Sequence, residues 1–182
     1  MIFEPLQAGW DGAVFHVLNR DRGIFLDAVF TAASSRQFGV GAMVAFSLIA
    51  LAAGIRRFGV SVLGIWLAVA LSDRIGAWLL KPIFARTRPC YALQEGSFRL
   101  LGTIGRSGAF PSLHAANAFA FAYVARQAFP GASIPLYLLA TLVAVSRIYL
   151  GVHWPTDVLA GMVWGTLCGA LSSNILERWS SR

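Results

Sequence analysis

Three short stretches of this chain carry side chains suited to gripping a dianion and attacking it. The first is Lys81-Pro-Ile-Phe-Ala-Arg-Thr-Arg88-Pro89, the second Pro111-Ser112-Leu113-His114, and the third runs from Ser146-Arg147 through His153 to Asp157. Lys81, Arg88 and Arg147 are three cations able to converge on one anion. Guanidinium forks take phosphate oxygens in pairs, whereas an ammonium acts as a point charge. Ser112 stands where a helix is expected to begin, and free N–H groups and the helix dipole favour phosphate there. His114 and His153 can divide a substitution reaction between them. Asp157 follows His153 by four residues, which puts both on one helical face. A bond from one ring nitrogen to that carboxylate fixes the tautomer, leaves the other nitrogen free to attack, and stabilises the imidazolium that forms. Taken singly, each residue has an ordinary role as an interfacial side chain, topological anchor or helix cap. Their joint occurrence at fixed spacings is what points to chemistry.

The elements that must hold these residues are apolar. The chain has 182 residues, 57% hydrophobic and 13% charged, about half the charge of an ordinary soluble domain, which carries roughly 25%. Its mean hydropathy is +0.66. A water-soluble enzyme, a disordered chain and a disulfide-stapled secreted module are all poor fits. Residues 38–55, 107–125, 127–146 and 158–176 contain no Asp, Glu, Lys or Arg, and 58–80 contains only Asp73 and Arg74. A membrane helix needs about 20 mostly apolar residues, so the expected fold is an all-α polytopic bundle of five to six transmembrane helices. The sixth would come from 23–35. One domain over 1–182 is expected, with 37–176 as the transmembrane core and 1–36 as an interfacial segment. In that segment Leu6, Trp10, Val14, Val17 and Leu18 recur at helical spacing, with Asp11, Asn19, Arg20, Asp21 and Arg22 between them. This reads as one or two amphipathic helices lying in the interface, and His16 has no further role there.

The connectors sort the chemistry onto one membrane face. Arg56 and Arg57 make a basic hairpin, and Pro130-Gly131 a turn, on one side together with Arg126, Arg178 and Arg182. The other side holds Lys81, Arg86, Arg88, Arg99, Arg106 and Arg147. The raw positive count is nearly tied. With the second set reserved for an anion, the hairpin arginines mark the cytoplasm and the long loop faces outward. The net charge of +7 therefore reads as membrane anchoring and anion binding, with no nucleic-acid partner. Gly161, Gly165 and Gly169, four apart, form a packing seam. Cys90 and Cys168 suit neither a metal site nor a disulfide, and the first residues lack the basic start of a signal peptide. Asp73 and Arg74, inside a span, serve either interhelical contacts or the pocket.

These residues resemble the type 2 phosphatidic acid phosphatase superfamily, whose signature is KxxxxxxRP, PSGH and SRxxxxxHxxxD. Lys81 to Pro89 matches the first element and Ser146 to Asp157 the third. Pro111 to His114 matches the second with Leu113 in place of the usual Gly, a departure that touches local backbone and pocket shape. The resemblance implies that His153 is the nucleophile, forming a phosphohistidine, with Asp157 orienting it. It makes His114 the general acid, which then assists water. Lys81, Arg88, Ser112 and Arg147 would bind the phosphoryl group. It implies a metal-independent enzyme with no cofactor, acting on a membrane lipid phosphate in a bacterial inner membrane, multi-pass, with the site toward the periplasm. Undecaprenyl pyrophosphate or a related lipid phosphate is the favoured substrate. Phosphatidylglycerophosphate, phosphatidic acid, lipid A phosphates and transfer to a second lipid are the alternatives. No oligomeric state is implied.

Overall fold

Glycine decides the first large turn. In the computed structural model, which describes residues 9–105 and 107–180 and the side chains of all of these except 55–58 and 180, a short α1 (Trp10–Leu18) and α2 (Ile24–Ala33) precede the long α3 (Arg36–Ile75). The Ser35 hydroxyl caps α3 by accepting from the Phe38 N–H at 3.1 Å. Gly54 breaks it, at φ 141° and ψ 106°, a region closed to residues with a Cβ. The Trp66 indole N–H donates to the Ser47 hydroxyl at 3.2 Å. In a straight helix, residues 19 apart would be about 28 Å distant, so the two arms of α3 are folded back on each other. The hairpin expected at Arg56 and Arg57 therefore forms. Leu6, Arg106 and Arg182 lie outside the described residues.

The second arm runs through a π-turn (Gly76–Leu80) into α4 (Lys81–Phe84). After a one-turn α5 (Pro89–Ala92) and a long loop come α6 (Leu113–Ala128), a 3₁₀ turn (Pro130–Ala132), α7 (Ser133–Tyr149) and α8 (Pro155–Ser180). The described residues contain helices and no strand. Four stretches are long and apolar enough to cross a membrane: Arg36–Gly54, Gly59–Ala92, Pro130–Tyr149 and Pro155–Trp179. The fifth expected span is the 16-residue α6, about 24 Å long at 1.5 Å per residue. It sits at the centre, packed by α3, α7 and α8, and its alanines face protein more than lipid. At ten residues, α2 is too short to cross the roughly 30 Å hydrocarbon core.

The glycine seam of α8 lies against α6. A Cβ on Gly165 would stand 1.9 Å from the Ala116 carbonyl oxygen, and one on Gly161 2.4 Å from that of Ser112. On other faces of α8, Leu159, Val163, Leu167, Leu171 and Ile175 are exposed where lipid belongs. Hydrogen bonds tie the bundle across its depth: the Ser172 hydroxyl to Gly64 O at 2.8 Å, the Trp164 indole to Ser72 O at 3.1 Å, and the Ser173 hydroxyl to Gln127 Oε1 at 2.7 Å. Such polar contacts hold helices together where no hydrophobic force does.

The N-terminal segment keeps its apolar stripe outward, as an interfacial helix would. Its two helices form, and Trp10, Val14 and Val17 are exposed while Asp11, Phe15 and Asn19 are buried. The apolar stripe points away from the protein and two of the polar residues between point in. In a membrane protein the outside is the apolar phase, so polar groups find their partners inside.

Candidate active site

The three motif stretches meet at one end of the bundle. Lys81 opens α4, just after the π-turn. Ala85, at φ 41°, then ends α4 in the left-handed region and turns the chain so that Arg86 and Arg88 point inward. Arg86 O accepts from the Ala109 N–H at 2.8 Å, and the second motif is thereby laid beside the first. Ser112 is the N-cap of α6. Its N–H donates to Asp157 O at 2.9 Å, locking the start of α6 to the first turn of α8. The Val152 and His153 N–H groups both donate to Arg147 O at 3.2 Å, which joins the end of α7 to the nucleophile loop.

Lys81, Arg88, Ser112, Arg147, His153 and Asp157 are all buried. Lys81 Nζ donates to Gly108 O at 2.5 Å, and Arg88 Nη2 approaches the same oxygen at 3.4 Å. Arg88 also donates to Ser107 O at 3.1 Å and to Val152 O at 2.9 Å. Arg147 Nη1 donates to the Ser34 hydroxyl at the end of α2. Ser112 Oγ and Arg147 Nε are among the buried polar atoms that have no hydrogen-bond partner. An unpartnered buried donor is costly, and a phosphoryl oxygen would supply what both lack. His114 occupies the first turn of α6, with Arg147, His153, Lys81 and Arg88 as its electrostatic neighbours.

The histidine tautomer follows from its partners. Arg88 Nη1 lies 3.1 Å from His153 Nε2, and a guanidinium can only donate, so Nε2 presents its lone pair. The ring proton is then on Nδ1, which faces Asp157 Oδ2 at 3.4 Å. Burial first, then the charges of Arg88, Arg147 and Lys81, hold the imidazole well below its ordinary pKa. It is neutral at pH 7 and keeps the lone pair that an attack on phosphorus requires. Asp157 Oδ2 also accepts from the Trp154 N–H at 2.9 Å, half of a capping box that fixes the carboxylate at the start of α8.

All seven expected site residues lie in this one region. Two that the motifs do not mark join them. Arg86 Nη1 donates to Asp157 Oδ1 at 2.6 Å, and Arg86 Nη2 to Asp11 Oδ2 at 2.5 Å. Arg86 was legible only as one more arginine of a basic stretch, and Asp11 only as the polar side of an amphipathic helix. The one sequence signal was a carboxylate set among apolar residues in a membrane protein, which needs a partner. With Arg86 already paired to Asp157, the charges of Lys81, Arg88 and Arg147 are left for an anion. Among the described residues no group of three or more His, Cys, Asp or Glu is placed to hold a metal ion. Asp73 accepts from Asn117 Nδ2 at 3.1 Å, an interhelical contact.

The fold and site define a multi-pass helical membrane protein with a buried, cationic, two-histidine site at one end of its bundle. The family model described as PAP2 superfamily matches residues 61–181, and the chain belongs to that superfamily. It is 31% identical over 126 residues to a lipid A 4'-phosphatase of Bacteroides thetaiotaomicron, a match covering 66% of this chain and 56% of that one. It is 30% identical over 149 residues to the decaprenylphosphoryl-5-phosphoribose phosphatase of Mycobacterium tuberculosis, covering 70% and 80%. Among solved structures, Aquifex aeolicus LpxE superposes with a TM-score of 0.74 at 31% identity, covering 89% of this chain and 93% of that one. The chain thus spans little more than half the length of the first of these curated relatives.

Proposed function

We propose that this protein hydrolyses a phosphomonoester or pyrophosphate of a membrane lipid, undecaprenyl pyrophosphate or a related lipid phosphate, through a phosphohistidine on His153. The observation that carries the reading is the fixed tautomer of His153, its Nε2 lone pair beside Arg88 and its Nδ1 toward Asp157. In the first step Nε2 attacks phosphorus, the bond from phosphorus to the lipid-side oxygen breaks, and His114, as the imidazolium, gives that oxygen its proton and becomes neutral. In the second, His114 takes a proton from water, the hydroxide attacks phosphorus, the P–N bond breaks and His153 regains its lone pair. Lys81, Arg88, Arg147 and Ser112 hold the phosphoryl oxygens and balance charge that grows between ground and transition states. Asp157 stabilises the imidazolium character that develops on His153. Relatives that act on a lipid A phosphate and on a decaprenyl-linked phosphate support a lipid phosphate as substrate. Arg56 and Arg57 at the far end of the bundle support an inner-membrane orientation with this site toward the periplasm. The contribution of Asp11, from outside the matched region, supports a single functional domain over 1–182.

Phosphate release by the purified protein in detergent, from undecaprenyl pyrophosphate, phosphatidylglycerophosphate, phosphatidic acid and lipid A, tests the reading. Wild type should release phosphate from at least one of them, and His153→Ala should lose at least about a thousandfold in kcat. Full activity in His153→Ala would overturn it.

A further inference from the structure

We infer that Asp11 and Arg86 are positioning residues that act on His153 through Asp157, making α1 part of the catalytic apparatus; the inference rests on the phosphohistidine reading above. Asp11 is fully buried, a costly position for a carboxylate unless it is paired and hydrogen-bonded. Here it accepts three bonds besides being ion-paired in one of them: Arg86 Nη2 at 2.5 Å, the Thr156 N–H at 2.9 Å and the Thr156 hydroxyl at 2.7 Å. Thr156 lies in the first turn of α8, whose N–H groups have no partner within the helix. A carboxylate there is also favoured by the helix dipole. Asp11 thus clamps the turn that carries Asp157.

Its second effect is on how Arg86 meets Asp157. An arginine facing a lone carboxylate tends to take both oxygens with its fork. Arg86 cannot, because Nη2 is held by Asp11. Only Nη1 reaches Asp157, and only at Oδ1. Oδ2 is left for the Trp154 N–H and His153 Nδ1. The Trp154 ring, 5.6 Å from the Arg86 guanidinium carbon, packs beside this arrangement. Remove the Asp11 carboxylate and Nη2 loses that hold; Arg86, with Nη1 still on the Thr156 hydroxyl at 2.5 Å, can then turn Nη2 toward Asp157 Oδ2, in competition with the histidine.

The test is Asp11→Asn, Arg86→Lys and Asp11→Glu, each purified in detergent and assayed on phosphatidic acid and undecaprenyl pyrophosphate, with phosphorylation of His153 followed in rapid-quench experiments. Asp11→Asn is expected to lower kcat and the phosphorylation rate by about 10–100-fold, the range known for residues that orient a catalytic ligand, with KM within about twofold. Asp11→Glu should recover part of the loss. Placed on Asp157→Asn, the Asp11→Asn change should cost less than about threefold, since residues acting as one unit are strongly non-additive. A clamp that only supports the fold would lower the unfolding temperature yet leave the rate of the folded fraction unchanged. If Asp11→Asn does not fold, Arg86→Lys carries the same expectation, because an ammonium lacks the planar fork that fixes one oxygen of each carboxylate. Wild-type phosphorylation rates in the folded variants, or full additivity with Asp157→Asn, would overturn the inference while leaving the phosphohistidine intact. Failure of wild type itself to form a phosphohistidine would instead remove the reading on which it rests.

Discussion

Replacing Asp157 by Asn asks the site to do with one acceptor what it does with two. Asp157 Oδ1 accepts from Arg86 at 2.6 Å, while Oδ2 accepts from the Trp154 N–H at 2.9 Å and faces His153 Nδ1 at 3.4 Å. An asparagine has one oxygen and one NH2 group at these positions. With the NH2 toward Arg86, two donors face each other in a fully buried site, and Asp11 alone balances the guanidinium. With the NH2 toward His153, Nδ1 must become an acceptor and the ring proton moves to Nε2. That proton then points at Arg88 Nη1, 3.1 Å away, and the attacking lone pair is gone. Either arrangement disables the nucleophile more than it disturbs binding. The corresponding Asp-to-Asn change in a serine protease triad costs about ten-thousandfold in kcat through the wrong tautomer. With part of that loss avoided in the first arrangement, about a thousandfold to ten-thousandfold is expected here, or roughly 4–5.5 kcal/mol of barrier at 1.36 kcal/mol per tenfold. KM should stay within about threefold, because Lys81, Arg88, Ser112 and Arg147 are untouched. The assay is steady-state phosphate release from a lipid phosphate by detergent-purified protein, with thermal unfolding run in parallel. A folded Asp157→Asn variant within tenfold of wild-type kcat would refute this account of how His153 is activated.

Three further outcomes follow from the same geometry. Ser112→Ala removes a hydroxyl that is buried without a partner. It should leave the unfolding temperature unchanged or raised while lowering kcat/KM by about 10–100-fold, the equivalent of one charge-assisted bond of roughly 1.5–3 kcal/mol. Gly165→Ala drives a methyl to 1.9 Å from the Ala116 carbonyl oxygen and should destabilise the bundle by at least about 1–3 kcal/mol. Gly131→Ala, which meets nothing within 4 Å, should be neutral in the same thermal assay. Finally, His153 is neutral in the fold, with its pKa held well below the ordinary value, whereas in the unfolded chain it takes up a proton below about pH 6.5. The unfolded state then binds the extra proton, so stability falls as pH drops through that value. In His153→Gln the acid-side loss should be shallower by up to about 1.36 kcal/mol per pH unit, measured by denaturation in detergent between pH 7 and 5.

Much of the architecture is legible in the sequence because the bilayer imposes a simple rule on it. Apolar runs of helical length become spans, and Arg56 and Arg57 mark the hairpin that Gly54 makes possible. Gly161, Gly165 and Gly169 advertise close approach, though only the structure names α6 as the partner. The third span is less legible: residues 107–125 contain no Asp, Glu, Lys or Arg, yet the helix begins at Leu113, since Ser107 to Pro111 lie beside Lys81 and Arg88 as the floor of the site. The seven expected site residues share one region because each sits where a helix starts or ends on one face, which spacing and span order already dictate. Asp11 and Arg86 were hidden for the opposite reason. Their contact spans 75 residues, and α1 reads only as an amphipathic helix lying in the interface. In the structure Trp10, Val14 and Val17 take the outward side, and Asp11 turns inward.

The central claim is that phosphate passes through His153. The most direct measurement is to quench the wild-type protein in alkali during turnover of a labelled lipid phosphate, digest it with trypsin, and locate the label by mass spectrometry. Cleavage at the arginines separates His153, in peptide 148–178, from His114, in peptide 107–126. The account predicts phosphate on His153 alone, formed and discharged at the rate of turnover and absent from His153→Ala. Label on the peptide that carries His114, or product formation with no phosphorylated peptide at any quench time, would contradict it.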